Sequence, residues 1–402
     1  MRARLIFWVA LCLGCEGVSI DALQGPGLCG ASDRNSVQAQ TADRFVNSFG
    51  LKPFGMSPSN PLMKERLSEL GVRQLVLPYG GGREGMRELV EALGLRGMVT
   101  IESLANAVPA LQYYGGAATA ITLRHNLTVD AAWGATIRNN QQALHALIKG
   151  DESTASVAIV GTNVQDDDQI LAAGDLSAWV DFGSFFPWRT AVWRDPPGRR
   201  ATTDLPRHIP NYGTRPMVAP QTGYDTNIDN GVSEAIGGRY VVRTVLEHFR
   251  LGVERTFIAE LADSMPGLDG LPSTGLGILR HDGSPKPAFT TLSRLMALLG
   301  DAGPAFVPGQ LGYTLGAPSA AMHTILLQKR SGTFYLILWL EIDSLEAETT
   351  VPVALDLAVP AKAMTVFRPA QAAAPVAIGK GQRMMVDVSD ALTVVQIEPD
   401  CP

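Results

Sequence analysis

The stretch "MVAPQTGYDT" at residues 217–226 joins a short apolar run to a polar and aromatic end. Runs of this kind, alternating with amphipathic helical segments, are typical of parallel strands linked by helices. The chain contains eight of them from about residue 44 onward, namely "VNSFGLKPF", "VRQLVLPY", "GMVTIES", "AATAITLRH", "SVAIVGTNV", "AWVDFGSFF", "RPMVAPQTGY" and "RTFIAELAD". Eight β/α units in this length predict an α/β fold of the (β/α)8 TIM barrel type, for which we expect residues 44–302.

The pattern changes in the last quarter of the chain. Runs such as "TILLQKRSGTFYLILWLEI", "TVPVALDL" and "LTVVQIEP" are separated by turn residues, with no helical segment between them. Strands that follow one another without helices pair in an antiparallel manner. We therefore expect a small C-terminal antiparallel β-sandwich domain over residues 303–402.

The N-terminus "MRARLIFWVALCLGC" places two arginines before an apolar run from Leu5 to Cys15. This layout predicts a secretory signal peptide over residues 1–22, and the run is too short for a membrane-spanning helix. We expect a secreted or periplasmic, cell-envelope protein with no membrane span. It is either released by ordinary cleavage or held by a lipid anchor at Cys15, and a tail over residues 23–43 leads into the barrel.

Composition and motif spacing exclude several classes of function. The formal net charge is -6 and no basic run follows the first residues, so nucleic acid is not an expected partner. The histidines lack ligand spacing and no C-x-x-C follows the predicted signal peptide, so neither a metal nor another cofactor is expected. The absence of G-x-S-x-G disfavours a serine hydrolase. Cys29 and Cys401, which remain after signal removal, either form a disulfide or stay as two free thiols.

Several segments resemble a bacterial family of secreted barrels from the clan of retaining glycoside hydrolases, the cellulase-like group. The resemblance covers most of the chain, and the segments that carry it include "FVNSFGLKPF", "GDLSAWVDFGSFFPW", "VAPQTGYDT", "GLGILRHDGSPKPAFTTL" and "GTFYLILWLE". It implies a TIM barrel followed by a β domain, with carbohydrate or polysaccharide as the partner. Such enzymes place two carboxyl groups at the carboxyl ends of the barrel strands.

Both catalytic positions of the resembled family are substituted in this sequence. The family's seventh strand ends Thr-Glu-Thr-Gly-Tyr, and its nucleophilic glutamate corresponds here to Gln221. The acid/base position after the fourth strand corresponds to Asn126. A neutral amide cannot attack an anomeric carbon at a useful rate or deliver a proton, so the resemblance implies a disabled catalytic pair. Glu260 and Asp263, after the eighth run, are the nearest candidates for relocated carboxylates, with Asp181 and Asp225 as others.

Other positions at the strand ends have lost polar groups relative to the same family. Phe54 replaces a histidine, and Val76 and Leu77 replace an arginine and an aspartate. Aromatic side chains match the apolar faces of sugar rings, and amides hydrogen-bond sugar hydroxyls. The residues that we expect to contact carbohydrate are Trp188, Tyr224, Phe186, His125 and Phe54, with Trp193 as a further aromatic candidate.

Three functions remain open from the sequence. The first is a glycoside-hydrolase-like barrel that binds polysaccharide without cleaving it, a pseudoenzyme. The second is an active glycosidase that uses the relocated carboxylates Glu260 and Asp263. The third is an interaction or scaffold protein of the cell envelope, in which apolar residues at the mouth contact a partner. An open cleft lined by aromatic residues would favour sugar binding, and a plugged or flat apolar mouth would favour a partner.

Overall fold

The computed structural model describes residues 35–80, 85–124, 132–187, 195–227, 231–264, 275–316 and 319–400. The predicted signal peptide, Cys15, Cys29 and Cys401 lie outside these ranges, so the predictions made on them stay predictions.

The chain begins with two short strands and a helix, β1 (Ser36–Gln38), β2 (Gln40–Thr41) and α1 (Ala42–Ser48). Eight parallel strands follow: β3 (Phe49–Lys52), β4 (Gln74–Pro78), β5 (Arg96–Ile101), β6 (Ala118–Leu123), β7 (Ala158–Ile159), β8 (Gly183–Ser184), β9 (Met217–Thr222) and β10 (Arg255–Ala259). A helix follows each of them: α2 (Pro61–Leu70), α3 (Met86–Leu93), α4 (Ala107–Tyr114), α5 (Trp133–Lys149), α6 (Asp167–Ala173), α7 (Pro197–Tyr212), α8 (Glu234–Arg250) and α9 (Pro287–Leu299).

These strands form a closed barrel. Their order is β7-β6-β5-β4-β3-β10-β9-β8, and a parallel bridge between Val160 and Phe182 joins the two outermost strands. The Gly161 N–H donates to the carbonyl of Phe182 at 2.9 Å across the same junction. Each of the eight apolar runs contains one barrel strand, so the predicted (β/α)8 barrel is confirmed.

Local sequence signals explain where the helices begin and end. In α2, the side chain of Asn60 accepts a hydrogen bond from the Leu62 N–H at 3.0 Å, and Pro61 occupies the first turn, where its missing N–H costs nothing. The helix ends at Gly71, whose φ of 67° is left-handed and favours glycine.

The interior of the barrel is filled by side chains. An inner cluster contains Val76, Met98, Ala120, Val160, Val218 and Phe257. Phe257 fits because Gly50 of the neighbouring strand has no side chain: a Cβ there would lie 2.4 Å from the Phe257 ring. The core below the mouth is therefore packed, and the mouth is where ligands can approach.

The C-terminal strands are β11 (Gln310–Leu315), β12 (Met322–Gln328), β13 (Phe334–Leu340), β14 (Thr350–Phe367), β15 (Ala377–Ser389) and β16 (Thr393–Pro399). They form an eight-stranded sheet in the order β1-β11-β14-β16-β13-β12-β2, with β15 paired to β14. Residues 36–41, which the sequence analysis placed in the N-terminal tail, thus contribute the two edge strands β1 and β2. Strands of three and two residues are too short to show an alternating pattern in the sequence.

The two parts of the fold pack against each other through β13. Tyr335, Ile337 and Trp339 belong to the cluster that covers the outside of the barrel, and the residues between them belong to the separate core of the sheet. Glu247 of α8 lies at this junction and accepts a hydrogen bond from the Trp339 indole N–H at 2.8 Å. It also accepts from the imidazole of His323.

That junction holds a group of His and Glu side chains, Glu247, His323 and Glu341, whose nitrogen and oxygen atoms lie within 4.8 Å of one another. Two arginine side chains supply positive charge beside these carboxylates. Arg250 donates to Glu247 at 2.7 Å, and the Arg243 guanidinium lies 3.6 Å from Glu341. These contacts fasten the barrel to the sheet.

Among the helices of the described ranges, we find none with both the length and the hydropathy required to cross a membrane.

Candidate functional site

Three polar side chains meet where the barrel strands end. Lys52 is the last residue of β3, Gln221 lies near the end of β9, and Glu260 directly follows β10. Lys52 is paired with Ala259 in the parallel register, so Glu260 stands beside it on the adjacent strand. The carboxyl ends of parallel strands open on one face of a barrel, which places these three groups together in its mouth.

A bulge in β9 positions Gln221. The pairing of β9 with β10 shifts register between Thr256 and Ile258, so β9 holds one residue more than β10 at this level. Pro220 lies in the bulge, where its lack of an N–H leaves no ladder hydrogen bond unmade. Gln221 follows, and its Oε1 accepts a hydrogen bond of 2.6 Å from the Nζ of Lys52.

The environment of Lys52 lowers the pKa of its ammonium group. Burial is the main cause, and the guanidinium of Arg124 acts in the same direction, whereas the carboxylate of Glu260 opposes them. Together they lower the pKa of Lys52 to about 8. The Nζ also lies 4.6 Å from the centre of the Phe54 ring, a contact that favours the charged form. The mouth therefore contains an amine that is partly neutral near physiological pH.

Glu260 is the carboxyl group that faces Lys52. Burial raises its pKa and Asp263 adds to the effect, while Lys52 opposes it. Within the described ranges, no group donates a hydrogen bond to this carboxyl. Glu260 is consequently free to exchange a proton or to bind a hydroxyl group.

Asp263, three residues further on, is held in a structural ion pair. Its Oδ1 lies 2.7 Å from the Nζ of Lys286 and accepts a further hydrogen bond of 2.9 Å from the Gly277 N–H. Lys286 is 3% exposed and also donates to the hydroxyl of Thr226 at 2.8 Å and to the carbonyl of Gly275 at 3.2 Å. These contacts occupy Asp263 and fix the loops around it, so the structure does not present it to the mouth.

The other carboxylates considered in the sequence lie elsewhere. Asp181 precedes β8, at the opposite end of the barrel, where it accepts from the Ile159 N–H at 2.7 Å and pairs with Lys149 at 2.9 Å. Asp225 accepts from two backbone N–H groups in the loop after β9, at 2.8 and 3.0 Å. Both have structural partners, which leaves Glu260 as the carboxyl of this set that faces the mouth.

The aromatic candidates separate into two kinds. Phe54 is half-buried and contacts Lys52 at the mouth. Tyr224 is 2% exposed, its hydroxyl donates to the carbonyl of Asp195 at 2.7 Å, and its ring packs 4.9 Å from that of Tyr240. Phe186 is also buried. In this structure, Phe54 is thus available to a ligand, whereas Tyr224 supports the wall behind the mouth.

Val76 and Leu77, whose convergence at the mouth would favour a partner surface, do not lie together. Val76 lies inside the barrel in the packed inner cluster, below the strand ends. Leu77 points outward into the cluster between strands and helices, with no exposed area. Side chains alternate across a strand, so consecutive residues of β4 could not face the same region.

Four candidates lie outside the described residues: His125, Asn126, Trp188 and Trp193. The assignments of Asn126 to the acid/base position and of His125, Trp188 and Trp193 to sugar contacts stay predictions.

Sequence reasoning missed Lys52 and Arg124. A usable signal was present, because each is a cation that closes an apolar strand run at its carboxyl end. Arg124 directly follows β6, is exposed, and lies 4.0 Å from Glu102. Both cations thus contribute to the electrostatics of the mouth, where Arg124 acts on the Lys52 amine.

No protein-family model matches the sequence, and no curated protein matches it. Among solved structures, the fold is similar to a glucosidase from Croceicoccus marinus, with a TM-score of 0.60 and 10% identity over 91% of this chain and 98% of that one. It is also similar to a family 39 glycoside hydrolase from Bacteroides cellulosilyticus WH2, with a TM-score of 0.57 and 10% identity over 90% and 82% of the two chains. The chain therefore shares its fold, a barrel with a β domain, with these two solved structures.

Proposed function

We propose that this chain is a carbohydrate-binding protein with a glycoside hydrolase fold, that it acts on polysaccharide outside the cytoplasm, and that its hydrolytic function is impaired. The observation that carries the proposal is the hydrogen bond between Lys52 and Gln221 in the barrel mouth. An amide held by an ammonium group stands where the resembled family has a nucleophilic carboxylate. The N-terminal sequence supports the location.

The Lys52–Gln221 pair is unsuited to retaining hydrolysis. A nucleophile for this reaction needs an ionised oxygen that can form a bond to the anomeric carbon. The amide oxygen of Gln221 is neutral, and it already accepts a hydrogen bond from Lys52. Asn126 at the acid/base position would remove the second catalytic function in the same way.

The same groups are suited to binding sugar hydroxyls. Lys52 donates, the Gln221 amide both donates and accepts, and ionised Glu260 accepts. Phe54 supplies an aromatic surface beside them, of the kind that packs on the apolar face of a sugar ring. Donors, acceptors and one aromatic ring at a barrel mouth fit carbohydrate better than an apolar partner surface.

An active glycosidase with relocated carboxylates is the second candidate, and Glu260 is the observation in its favour. Its raised pKa is appropriate for a general acid. The mechanism requires a second carboxyl across the glycosidic bond, and Asp263 is committed to Lys286. One free carboxyl does not provide both functions.

Binding to a glycan array, followed by titration with the polysaccharides that bind, tests the proposal. We expect binding that Phe54→Ala and Gln221→Ala weaken, with no sugar released from the bound polysaccharide. Leu171→Ala is a matched surface control, because Leu171 is 83% exposed and lies on α6, away from the strand ends. Absence of binding to any glycan, or loss of binding that is equal in the control, would reject the proposal.

A further inference from the structure

Lys52 has the surroundings of a reactive amine rather than those of a structural lysine. It lies at the end of a barrel strand, partly exposed, and its hydrogen-bond partner Gln221 is neutral. No carboxylate among the described residues forms a salt bridge with its ammonium group, although Glu260 lies near enough to act on it through charge. Lysines become nucleophiles when they are desolvated or stand beside another cation, and Lys52 meets both conditions through burial and Arg124.

We propose that Lys52 captures small aldehydes, including open-chain aldoses, as an imine, and that Glu260 supplies the proton that removes the carbinolamine hydroxyl as water. The inference rests on the geometry of the mouth and does not require that the chain binds polysaccharide.

The reaction balances with the groups present. The lone pair of neutral Lys52 Nζ forms a bond to the aldehyde carbon, and a proton moves from nitrogen to the carbonyl oxygen to give a carbinolamine. Protonated Glu260 then transfers its proton to that hydroxyl, the C–O bond breaks, and water leaves. The nitrogen lone pair forms the C=N bond, which leaves a protonated imine beside the Glu260 carboxylate.

The charges of the mouth favour both steps. At pH 7 an amine with a pKa near 8 is about one-tenth neutral, roughly 300-fold more than a lysine with an ordinary pKa. The raised pKa of Glu260 keeps a larger share of this carboxyl protonated than is usual for glutamate. The charged groups that act on the amine are Arg124 after β6 and Glu260 after β10, and Gln221 on β9 leaves its charge unchanged.

The inference can be tested by reductive trapping on the full-length protein. The protein is incubated with D-glyceraldehyde and cyanoborohydride near pH 7.5, and modified lysines are located by peptide mass spectrometry. We expect Lys52 to be modified at least about tenfold faster than the exposed residues Lys64 and Lys380, because more of its amine is neutral. Buried Lys286 should stay unmodified in the folded protein, since its amine is held by three contacts.

Variants separate the proposed chemistry from simple accessibility. Gln221→Glu places a carboxylate on the amine, so trapping at Lys52 should slow about tenfold near pH 7.5 and recover near pH 10. Glu260→Gln should also slow trapping near pH 7.5, because the acid that protonates the carbinolamine hydroxyl is gone, and this difference should disappear near pH 10, where Glu260 of the unmodified protein is ionised. Circular dichroism checks that both variants are folded.

Modification of Lys52 no faster than Lys64 and Lys380 in the unmodified protein would overturn the inference. Equal rates in the unmodified protein and Gln221→Glu would overturn it as well. Glyceraldehyde contains no glycosidic bond, so either result leaves the proposed polysaccharide binding unaffected.

Discussion

Two lysines lie near the same end of the barrel, but the partners of their ammonium groups differ. Lys286 is 3% exposed, and its ammonium contacts a carboxylate, a hydroxyl and a carbonyl. Lys52 is partly exposed, and its ammonium donates to the neutral amide of Gln221. The first lysine has a full set of partners for its charge, whereas the second has a partner that does not carry a charge.

The difference shows that the same end of the barrel contains both a structural ion pair and a reactive amine. A buried charge needs an opposite charge and hydrogen bonds to remain in place. The Lys286–Asp263 pair satisfies this rule within the segment after β10, and the hydrogen bond from Lys286 to Thr226 ties it to the segment after β9. The Lys52–Gln221 pair satisfies it only in part, and burial together with Arg124 lowers the pKa of Lys52. A lysine that stabilises the fold can therefore be distinguished from a reactive one by its partners. The first has an opposite charge and hydrogen bonds, whereas the second has only a neutral hydrogen-bond partner.

The largest effect on stability is expected when the ion pair between Lys286 and Asp263 is broken. Lys286→Met leaves the partly buried Asp263 without its counter-ion, and removal of one partner from a fully buried pair costs about 3 to 5 kcal/mol. Since Asp263 retains the Gly277 N–H and is partly exposed, we expect a loss of about 3 kcal/mol in the free energy of unfolding. Urea denaturation measures it. A loss below about 1 kcal/mol would show that the pair is not structural.

The second largest effect is expected when Lys52 is given an oppositely charged partner. Gln221→Glu places a carboxylate against the Lys52 ammonium, and we expect the pKa of Lys52 to rise by about one unit or more. Titration of the lysine Cε signal by carbon-13 NMR measures this pKa. Gln221→Met is the control, because it removes the hydrogen bond without adding charge, and it should not raise the pKa. A Gln221→Glu protein in which the pKa stayed near 8 would contradict the electrostatic description of the mouth.

Removing the incompletely paired amine should stabilise the fold at neutral pH. The folded pKa of Lys52 lies near 8, below its unfolded value, so the ammonium form opposes folding fully below pH 8. This cost disappears as the pH rises from 8 to about 10.5, where the unfolded chain also loses the proton. We expect Lys52→Met to be about 1 to 2 kcal/mol more stable than the unmodified protein at pH 7, with a difference that shrinks above pH 8.

Urea denaturation at several pH values between 7 and 10 tests this expectation. The control is Lys64→Met, at an exposed lysine, which should show no such dependence on pH. If Lys52→Met were destabilised at pH 7 as strongly as Lys286→Met, the contrast between the two lysines would not hold.

The smallest effects concern the two aromatic residues. Phe54→Ala removes the ring at the mouth and should weaken carbohydrate binding about fivefold, since an aromatic contact contributes about 1 kcal/mol. Tyr224→Phe removes the hydrogen bond to Asp195, so it should lower stability by about 1 kcal/mol and leave affinity unchanged. Calorimetric titration gives the affinities and thermal unfolding the stabilities. If Tyr224→Phe weakened binding and Phe54→Ala lowered only stability, the roles assigned to the two residues would be wrong.

The sequence predicted the barrel well because its eight apolar runs are local signals, and each contains one strand. The mouth was predicted in part. Gln221 and Glu260 could be placed at strand ends from the pattern alone, whereas the commitment of Asp263 to Lys286 depends on a contact across 23 residues of the chain. The burial of Tyr224 likewise depends on Tyr240 and on the carbonyl of Asp195, which lies 29 residues away. Charge and burial at a site come from such distant neighbours, which a strand pattern does not reveal.

Hydrolysis assays on the polysaccharides that bind test the central claim most directly. Released reducing ends are measured for the unmodified protein, for Glu260→Gln and for the double variant Gln221→Glu with Asn126→Glu. We predict that the unmodified protein binds and releases nothing, and that any cleavage appears only when both carboxylates are restored. Release of sugar by the unmodified protein, abolished in Glu260→Gln, would contradict the account and show that Glu260 performs the chemistry.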